Sequence, residues 1–371
     1  MMLSEFIVKT AEKFYEMQQG DGSFPPGHNG PYFDPETPVR NTGHWLIIFA
    51  KCYELTGESK FKKGVRDAAE YLYSKEARPY GYSFYHRYKE GKDKCNGLIG
   101  QAWTFEALAE AKRVLKDSKY ALLAEEVFFQ HPFDEGKGLW NRLDVDGEIL
   151  SVDIAFNHQL WFAACASLID GGKTEDLINY IKLFMDKLSH NMVILENGLI
   201  YHNIKNSHTN IGAGKKIKRT FKRVLIRRVD EIRYKSIGYH CFNTYAFGIL
   251  KQQIPEHPFW HSEYFERATD YLLTEEYREG LSGNKYSYPY NPPGFEIPYS
   301  LYTLKEMDEK ELLETSQWWV NQQFKACYNR ETGMMDRNTD DPLTHTARIY
   351  EVLRLTNDLL QKISLSDEHF L

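Results

Sequence analysis

Residues 97–111 read Gly97-Leu98-Ile99-Gly100-Gln101-Ala102-Trp103-Thr104-Phe105-Glu106-Ala107-Leu108-Ala109-Glu110-Ala111, with small, apolar or aromatic residues on almost every side. At 3.6 residues per turn such a stretch has almost no face for solvent, so it reads as a helix buried on both sides. Five more segments share that texture: Thr42–Leu55, Asp153–Ile169, Gly238–Leu250, Gly294–Leu304 and Leu343–Leu355. Between them run segments with apolar residues at helical spacing and one charged face: Phe6–Tyr15, Gly64–Leu72, Ala121–Phe129, Leu177–Leu188, Phe265–Leu273 and Leu312–Phe324. These read as outer helices.

The inner segments begin near Asn41, Gly97, Asp153, Gly238, Gly294 and Leu343, at intervals of 56, 56, 85, 56 and 49 residues. Such a period marks repeated units, each burying its apolar face on the next. The loops from outer to inner segments echo one another through a glycine: Gly22-Ser23-Phe24, Gly81-Tyr82-Ser83-Phe84, Gly138-Leu139-Trp140, Gly198-Leu199-Ile200, Gly280-Leu281-Ser282 and Gly333-Met334-Met335. Six outer–inner pairs predict an all-α (α/α)6 barrel, a toroid of six helical hairpins. It is expected to form one domain over residues 1–371, with a basic insertion at about 205–236.

Composition narrows the function classes. The 371 residues are 42% hydrophobic and 26% charged, a soluble balance, and 52 acids against 46 bases give a net charge of −6. That balance does not point to nucleic acid, and no nucleic-acid partner is expected. No stretch approaches the ~18 uncharged apolar residues of a membrane span. The N-terminus has no basic and apolar leader, and the five cysteines are too far apart for a metal or redox pair. A reduced, cytoplasmic setting is therefore expected, with peripheral attachment to a membrane as an alternative. No HExxH, paired-cysteine or phosphate-loop pattern occurs, so neither a cofactor nor a metal is expected. Aromatics reach 15%, which suits a cleft lined by rings and equally suits core filling.

The long fourth unit contains Lys215-Lys216-Ile217-Lys218-Arg219-Thr220-Phe221-Lys222-Arg223-Val224-Leu225-Ile226-Arg227-Arg228. A solvated surface helix would explain it. So would an anionic membrane surface or a polyanionic glycan meeting a basic amphipathic segment.

In a barrel of this kind the outer-to-inner loops gather at one end, beside the N-termini of the inner helices. Polar residues at the starts of apolar inner helices are costly unless paired or used. That singles out His44, Trp45, Gln101, Trp103, Asn157, Trp161, Tyr239, His240, His345 and Arg348 as substrate-binding candidates. Arg348 offers two parallel hydrogen bonds to a carboxylate. Asp341 before Pro342 reads as a helix cap. Asp153, placed four residues before Asn157 and hemmed by Phe156 and Trp161, is the first catalytic candidate. Desolvation there would raise its carboxyl toward the range of a general acid. His158 is a candidate base, and Glu296, between Pro292-Pro293 and Pro298, a second catalytic carboxyl.

The segment from Asn96 through Trp103, continuing Phe105-Glu106-Ala107-Leu108, resembles the GQAW inner helix of unsaturated glucuronyl hydrolases. Ser151-Val152-Asp153-Ile154-Ala155-Phe156-Asn157, with Leu160-Trp161-Phe162-Ala163, resembles the segment that carries that family's catalytic Asp. The resemblance implies that Asp153 protonates the vinyl ether of an unsaturated uronic acid, after which water adds and the glycosidic bond breaks. Glucuronyl C5-epimerases also carry a helical toroid with a GQA segment and use Tyr and Glu in proton transfer.

Three readings follow. The first is a glycoside hydrolase acting on an acidic, uronic-acid-containing oligosaccharide. The second is an epimerase or polysaccharide lyase that abstracts a proton from a uronate. The third places the barrel in glycan assembly, docked at a membrane through its basic insertion.

Overall fold

The computed structural model describes residues 1–205 and 219–370, the side chains of 219–228 excepted. Six outer helices (Leu3–Tyr15, Ser59–Tyr73, Lys119–Gln130, Thr174–Asp186, Glu263–Tyr271 and Glu309–Cys327) alternate with six inner ones. The inner helices are Val39–Thr56, Gly97–Leu115, Phe156–Ala166, Arg219–Gln253, Pro293–Leu304 and Pro342–Ala347, the last continued by the 3₁₀ segment Arg348–Arg354. Each inner helix packs on the next, and Arg348–Arg354 packs on both Pro293–Leu304 and Val39–Thr56. The ring therefore closes. This is the expected (α/α)6 toroid.

Burial follows the sequence pattern. Every residue from Val39 to Ala50 and from Gly97 to Leu108 is buried, whereas Ser59–Tyr73 buries only one stripe: Phe61, Gly64, Val65, Ala68, Ala69, Tyr71 and Leu72. A one-sided helix must lie outside and a two-sided one inside.

Four details differ from the sequence reading. The third inner helix starts at Phe156, so Asp153 stands in the turn before it rather than on its face. The fourth starts at Arg219, well before Gly238, because the basic run continues directly into it. Pro298 does not interrupt the fifth, which runs through it. A small antiparallel sheet of Phe133–Asp134, Leu139–Leu143 and Ile149–Val152 leads into the third inner helix. No helix among the described residues is long and apolar enough to cross a membrane.

The loop echoes have a structural cause. Two or three residues after the loop glycine, a backbone N–H is buried between the helical layers and must find an acceptor. An inner-helix side chain supplies it. Thr42 Oγ1 accepts from Phe24 N at 2.9 Å, Gln101 Oε1 from Phe84 N at 2.8 Å and Gln159 Oε1 from Trp140 N at 3.0 Å. His240 Nδ1 accepts from Ile200 N at 3.3 Å and Thr346 Oγ1 from Met335 N at 3.1 Å. Gln101 and Gln159 also donate back, to the carbonyls of Phe84 and Trp140. Much of the polarity at the starts of the inner helices is thus a set of clips that hold the loops.

Candidate active site

A cavity of about 160 Å³ opens among the clipped loops, where the N-terminal ends of several inner helices converge. From the inner helices it is lined by Trp103, Asn157, His158, Tyr239, Phe242 and Arg348, and from the loops by Asn29, Tyr32, Asp34, Arg87, Lys92, His202 and Tyr290. Three polar atoms of its wall are buried without a partner: Asn96 Nδ2, Asn157 Oδ1 and His202 Nδ1. Orphaned polar groups of this kind are costly, and a hydroxyl-rich ligand would satisfy them.

His158, in the cavity wall, is paired with Asp153 behind it. Asp153 Oδ2 lies 2.8 Å from His158 Nδ1 and also accepts from Leu98 N at 3.1 Å, while Oδ1 accepts from Ala155 N at 3.2 Å. Burial pushes the Asp153 carboxyl up, but the His158 imidazole and the two backbone donors outweigh it and hold the group below the usual carboxylate range. The expectation of a raised carboxyl is therefore overturned. Asp153 is ionised and already engaged, suited to orient an imidazole and to stabilise its protonated form. With Nδ1 occupied, His158 Nε2 is the ring nitrogen left for a ligand. The backbone makes room for this pair. Asn96 and Gly97 both take left-handed angles (φ 56° and 59°), and a Cβ on Gly97 would stand 2.4 Å from Asp153 Oδ2.

Around the pair, burial pushes His202 well below the ordinary imidazole value, with Lys235 and His158 adding to the effect. Tyr32 and Tyr239 share a hydroxyl hydrogen bond of 2.8 Å, and Tyr290 donates to Asn29 Oδ1 at 2.8 Å. Burial pushes the phenols of Tyr32 and Tyr239 up, so they stay protonated. Arg40, buried behind the wall, stacks on Trp103 at 3.8 Å and pairs with Glu36 at 3.1 Å.

Of the residues expected at the site, Trp103, Asn157, His158, Tyr239 and Arg348 line the cavity and Asp153 stands directly behind His158. The others are held elsewhere. Gln101 and His240 are clips, and His240 also bonds the Ala268 carbonyl. His345 is fixed to the Tyr288 carbonyl at 2.7 Å, and His44 is stacked on Tyr350. Trp45 packs on Phe14 and Phe24, between the helical layers. Trp161 is fully buried, stacked on Phe242 and Tyr245, and shows no ring face to a ligand. Glu296 lies behind Arg348 at 2.7 Å, where burial pushes it up to about 7 against the pull of that arginine.

All five N–H donors of Arg348 are taken, by Glu351, Tyr290 O, Asn291 and Glu296. It cannot clamp a substrate carboxylate as expected. The 3₁₀ geometry explains part of this, since side chains three apart eclipse and place Glu351 beside Arg348. Asp341 is the expected cap, accepting from Thr344 N, and its other oxygen accepts from His28 N and Gly30 N.

Tyr32, Asp34, Arg87 and His202 reach the cavity from loops, where the helical period that marks the inner helices gives no signal. Chemistry-bearing side chains beside turn residues, as in Asn29-Gly30-Pro31-Tyr32, were the available signal. Among the described residues no group of three or more His, Cys, Asp or Glu is arranged to hold a metal ion.

The Archaeal glycosylation protein Q of Haloferax volcanii is 42% identical over 364 residues, covering 95% of this chain and 97% of that protein. The chain belongs to the archaeal glycosylation protein Q family. No protein-family model matches it. Solved structures similar to this family member include the cellobiose 2-epimerase of Bacillus thermoamylovorans B4167, with a TM-score of 0.64 at 13% identity over 95% of this chain and 98% of that one. The unsaturated glucuronyl hydrolase of Bacillus sp. GL1 gives 0.61 at 13% identity, covering 96% of each chain. The alpha-1,6-mannanase GH76A of Salegentibacter sp. HEL1_6 gives 0.59 at 14%, covering 97% and 99%. At these identities the likeness is one of fold, the six-hairpin barrel used by hydrolases and epimerases alike.

Proposed function

We propose that this protein is a carbohydrate-active enzyme that moves a proton on an acidic sugar, as an epimerase or isomerase within glycan assembly. The observation that carries the reading is His158, with Asp153 on Nδ1 and Nε2 left for the substrate. In this reading Nε2 takes a hydrogen from carbon next to a carboxylate or carbonyl. The electron pair passes to that group as an enolate, and the Asp153 carboxylate stabilises the imidazolium. A proton then returns to carbon from His158 or, on another approach, from a second donor. Tyr239, protonated, and His202 stand in the same wall.

The first expectation, a hydrolase of the unsaturated-glucuronyl kind, needs Asp153 to deliver a proton. Burial favours the protonated form, but the His158 imidazole and two backbone donors outweigh it and keep the carboxyl ionised. Among the described residues lining the cavity the carboxylate is Asp34, which is paired to Lys92 at 2.7 Å and Arg87 at 3.3 Å. The cavity is close in size to the ~150 Å³ that holds a benzene ring, so it suits one sugar unit. The name of the Haloferax relative supports assembly over breakdown. In the same reading the protein works in the cytoplasm, docked on anionic lipid through Lys215–Arg228, whose side chains lie outside the described residues.

Incubation with uronic-acid-terminated oligosaccharides in D2O tests this. Deuterium should enter a ring carbon with the chain intact. Cleavage of unsaturated uronides, seen as loss of their ultraviolet absorbance without deuterium exchange in saturated ones, would establish the hydrolase instead.

A further inference from the structure

The cations of the cavity wall are not alike. Lys92 is matched by Asp34, Arg87 by Asp34 and by Asp93 at 2.9 Å, and Arg348 by Glu296 and Glu351. Lys235 has no carboxylate within ion-pair distance among the described residues. It sits on the fourth inner helix, half-buried, with Nζ 4.9 Å from the ring centre of Tyr32, 5.3 Å from that of Tyr239 and 5.8 Å from that of Tyr286. The three rings hold the ammonium by its attraction to their faces and give it no anionic partner. An ammonium withdrawn from water without a counter-charge is costly. Accordingly, burial and the neighbouring Lys92 and Lys285 bring Lys235 down to about 8. The unmatched positive charge of the wall is thus concentrated at one atom, in the same cavity as the orphaned Asn96, Asn157 and His202 groups.

We propose that Lys235 anchors an oxyanion of the bound sugar, a carboxylate or a phosphate ester, against the Tyr32–Tyr239–Tyr286 platform. This rests on the sugar-binding reading of the cavity and replaces Arg348 in the role of anion partner. The site so formed selects a charged sugar over a neutral one of the same size. It leaves the Asp153–His158 pair free for chemistry.

The test is binding, measured by calorimetry at pH 7 with glucuronate, glucose 6-phosphate and glucose as probes. The parent protein should bind at least one of the two anionic sugars ~10-fold or more tighter than glucose. Which of them is preferred separates carboxylate from phosphate. Lys235→Met, which keeps the apolar stem against the rings, should lose that preference, the affinity for the anionic sugars falling to that for glucose, and Lys235→Arg should keep most of it. Inorganic phosphate should compete with the anionic sugars in the parent and fail to compete in Lys235→Met. Equal affinities for charged and neutral sugars in the parent, or an undiminished preference in a folded Lys235→Met, would overturn the assignment. Binding does not depend on turnover. Loss of the preference in Lys235→Met without deuterium exchange would keep this site and remove the epimerase reading; exchange with a Lys235-independent preference would do the reverse.

Discussion

His158 Nδ1 lies 2.8 Å from Asp153 Oδ2, and two backbone N–H groups hold that carboxylate in place. Asp153→Asn puts an amide NH2 where donors already point and removes the charge that favours an imidazolium. Turnover should fall ~10²–10⁴-fold, the usual worth of general acid–base help, and the melting temperature should drop as well, since a buried donor loses its acceptor at a cost of about 1–3 kcal/mol. Asp153 acts through His158, so adding Asp153→Asn to His158→Gln should cost no further rate. Additive losses would mean that Asp153 works on the substrate separately.

Gly97 is the second handle on the same pair. A methyl group there meets the Asp153 carboxylate at 2.4 Å, on a backbone with φ 59° that costs an L-residue ~1–2 kcal/mol. Gly97→Ala should lower turnover tenfold or more while the protein still melts cooperatively. Full activity in that variant would show that the pair tolerates displacement.

The clips and the cavity wall should separate cleanly in mutants. Gln101→Leu strips partners from Phe84 N, Phe84 O and the Cys95 carbonyl, all buried. It should cost about 3 kcal/mol or more in denaturant unfolding, with KM unchanged in whatever folds. Trp161→Leu should behave likewise, whereas Trp103→Leu should raise KM. A selective KM effect in Gln101→Leu would return that residue to the binding site.

Acid should destabilise the fold through buried histidines. His131, fixed to the Val127 carbonyl at 2.8 Å, is pushed down to about 4 by burial. Between pH 4 and ~6.5 the unfolded chain binds its proton and the folded one does not, so this contribution is intact above ~6.5 and lost as pH falls toward 4. His131→Gln removes that dependence. The stability gap between parent and variant should narrow by ~1.4 kcal/mol per pH unit across the window, as read from denaturant curves. A gap independent of pH would mean that His131 is not held neutral.

The basic run predicts salt-sensitive binding to acidic surfaces. Replacing Lys215, Lys216, Lys218, Arg219, Lys222 and Arg223 with Gln should weaken sedimentation with anionic liposomes, and raised salt should do the same to the parent. If the parent does not sediment at low salt, the run is a solvated face.

The barrel was legible because its signal is redundant: six units each state the same two textures, buried all round and buried on one side. The candidate site was legible only in part, because a polar or aromatic residue at the start of an inner helix can serve either of two needs. Gln101 and Trp103 are two positions apart, yet one holds a loop and the other faces the cavity. Periodicity alone does not separate a clip from a ligand. Arg348 shows the complementary difficulty, since its engagement depends on Glu296, 52 residues away, and on a 3₁₀ turn. The burial of Asp153 is legible from its neighbours, but its charge state is not, because the bond to His158 and two backbone donors outweigh that burial.

The described ends of the fourth unit's insertion are tied to the barrel side by side: His202 N–H donates to Ser236 Oγ at 2.9 Å, and Ile204 N–H to the Ile154 carbonyl at 3.0 Å. Doubling the length of chain strung between such fixed ends costs only ~0.6 kcal/mol. A change in the length of the insertion would therefore leave the ring closed at little cost. Because His202 and Lys235 stand beside those tied ends and also line the cavity, such a change would be felt first at the cavity wall.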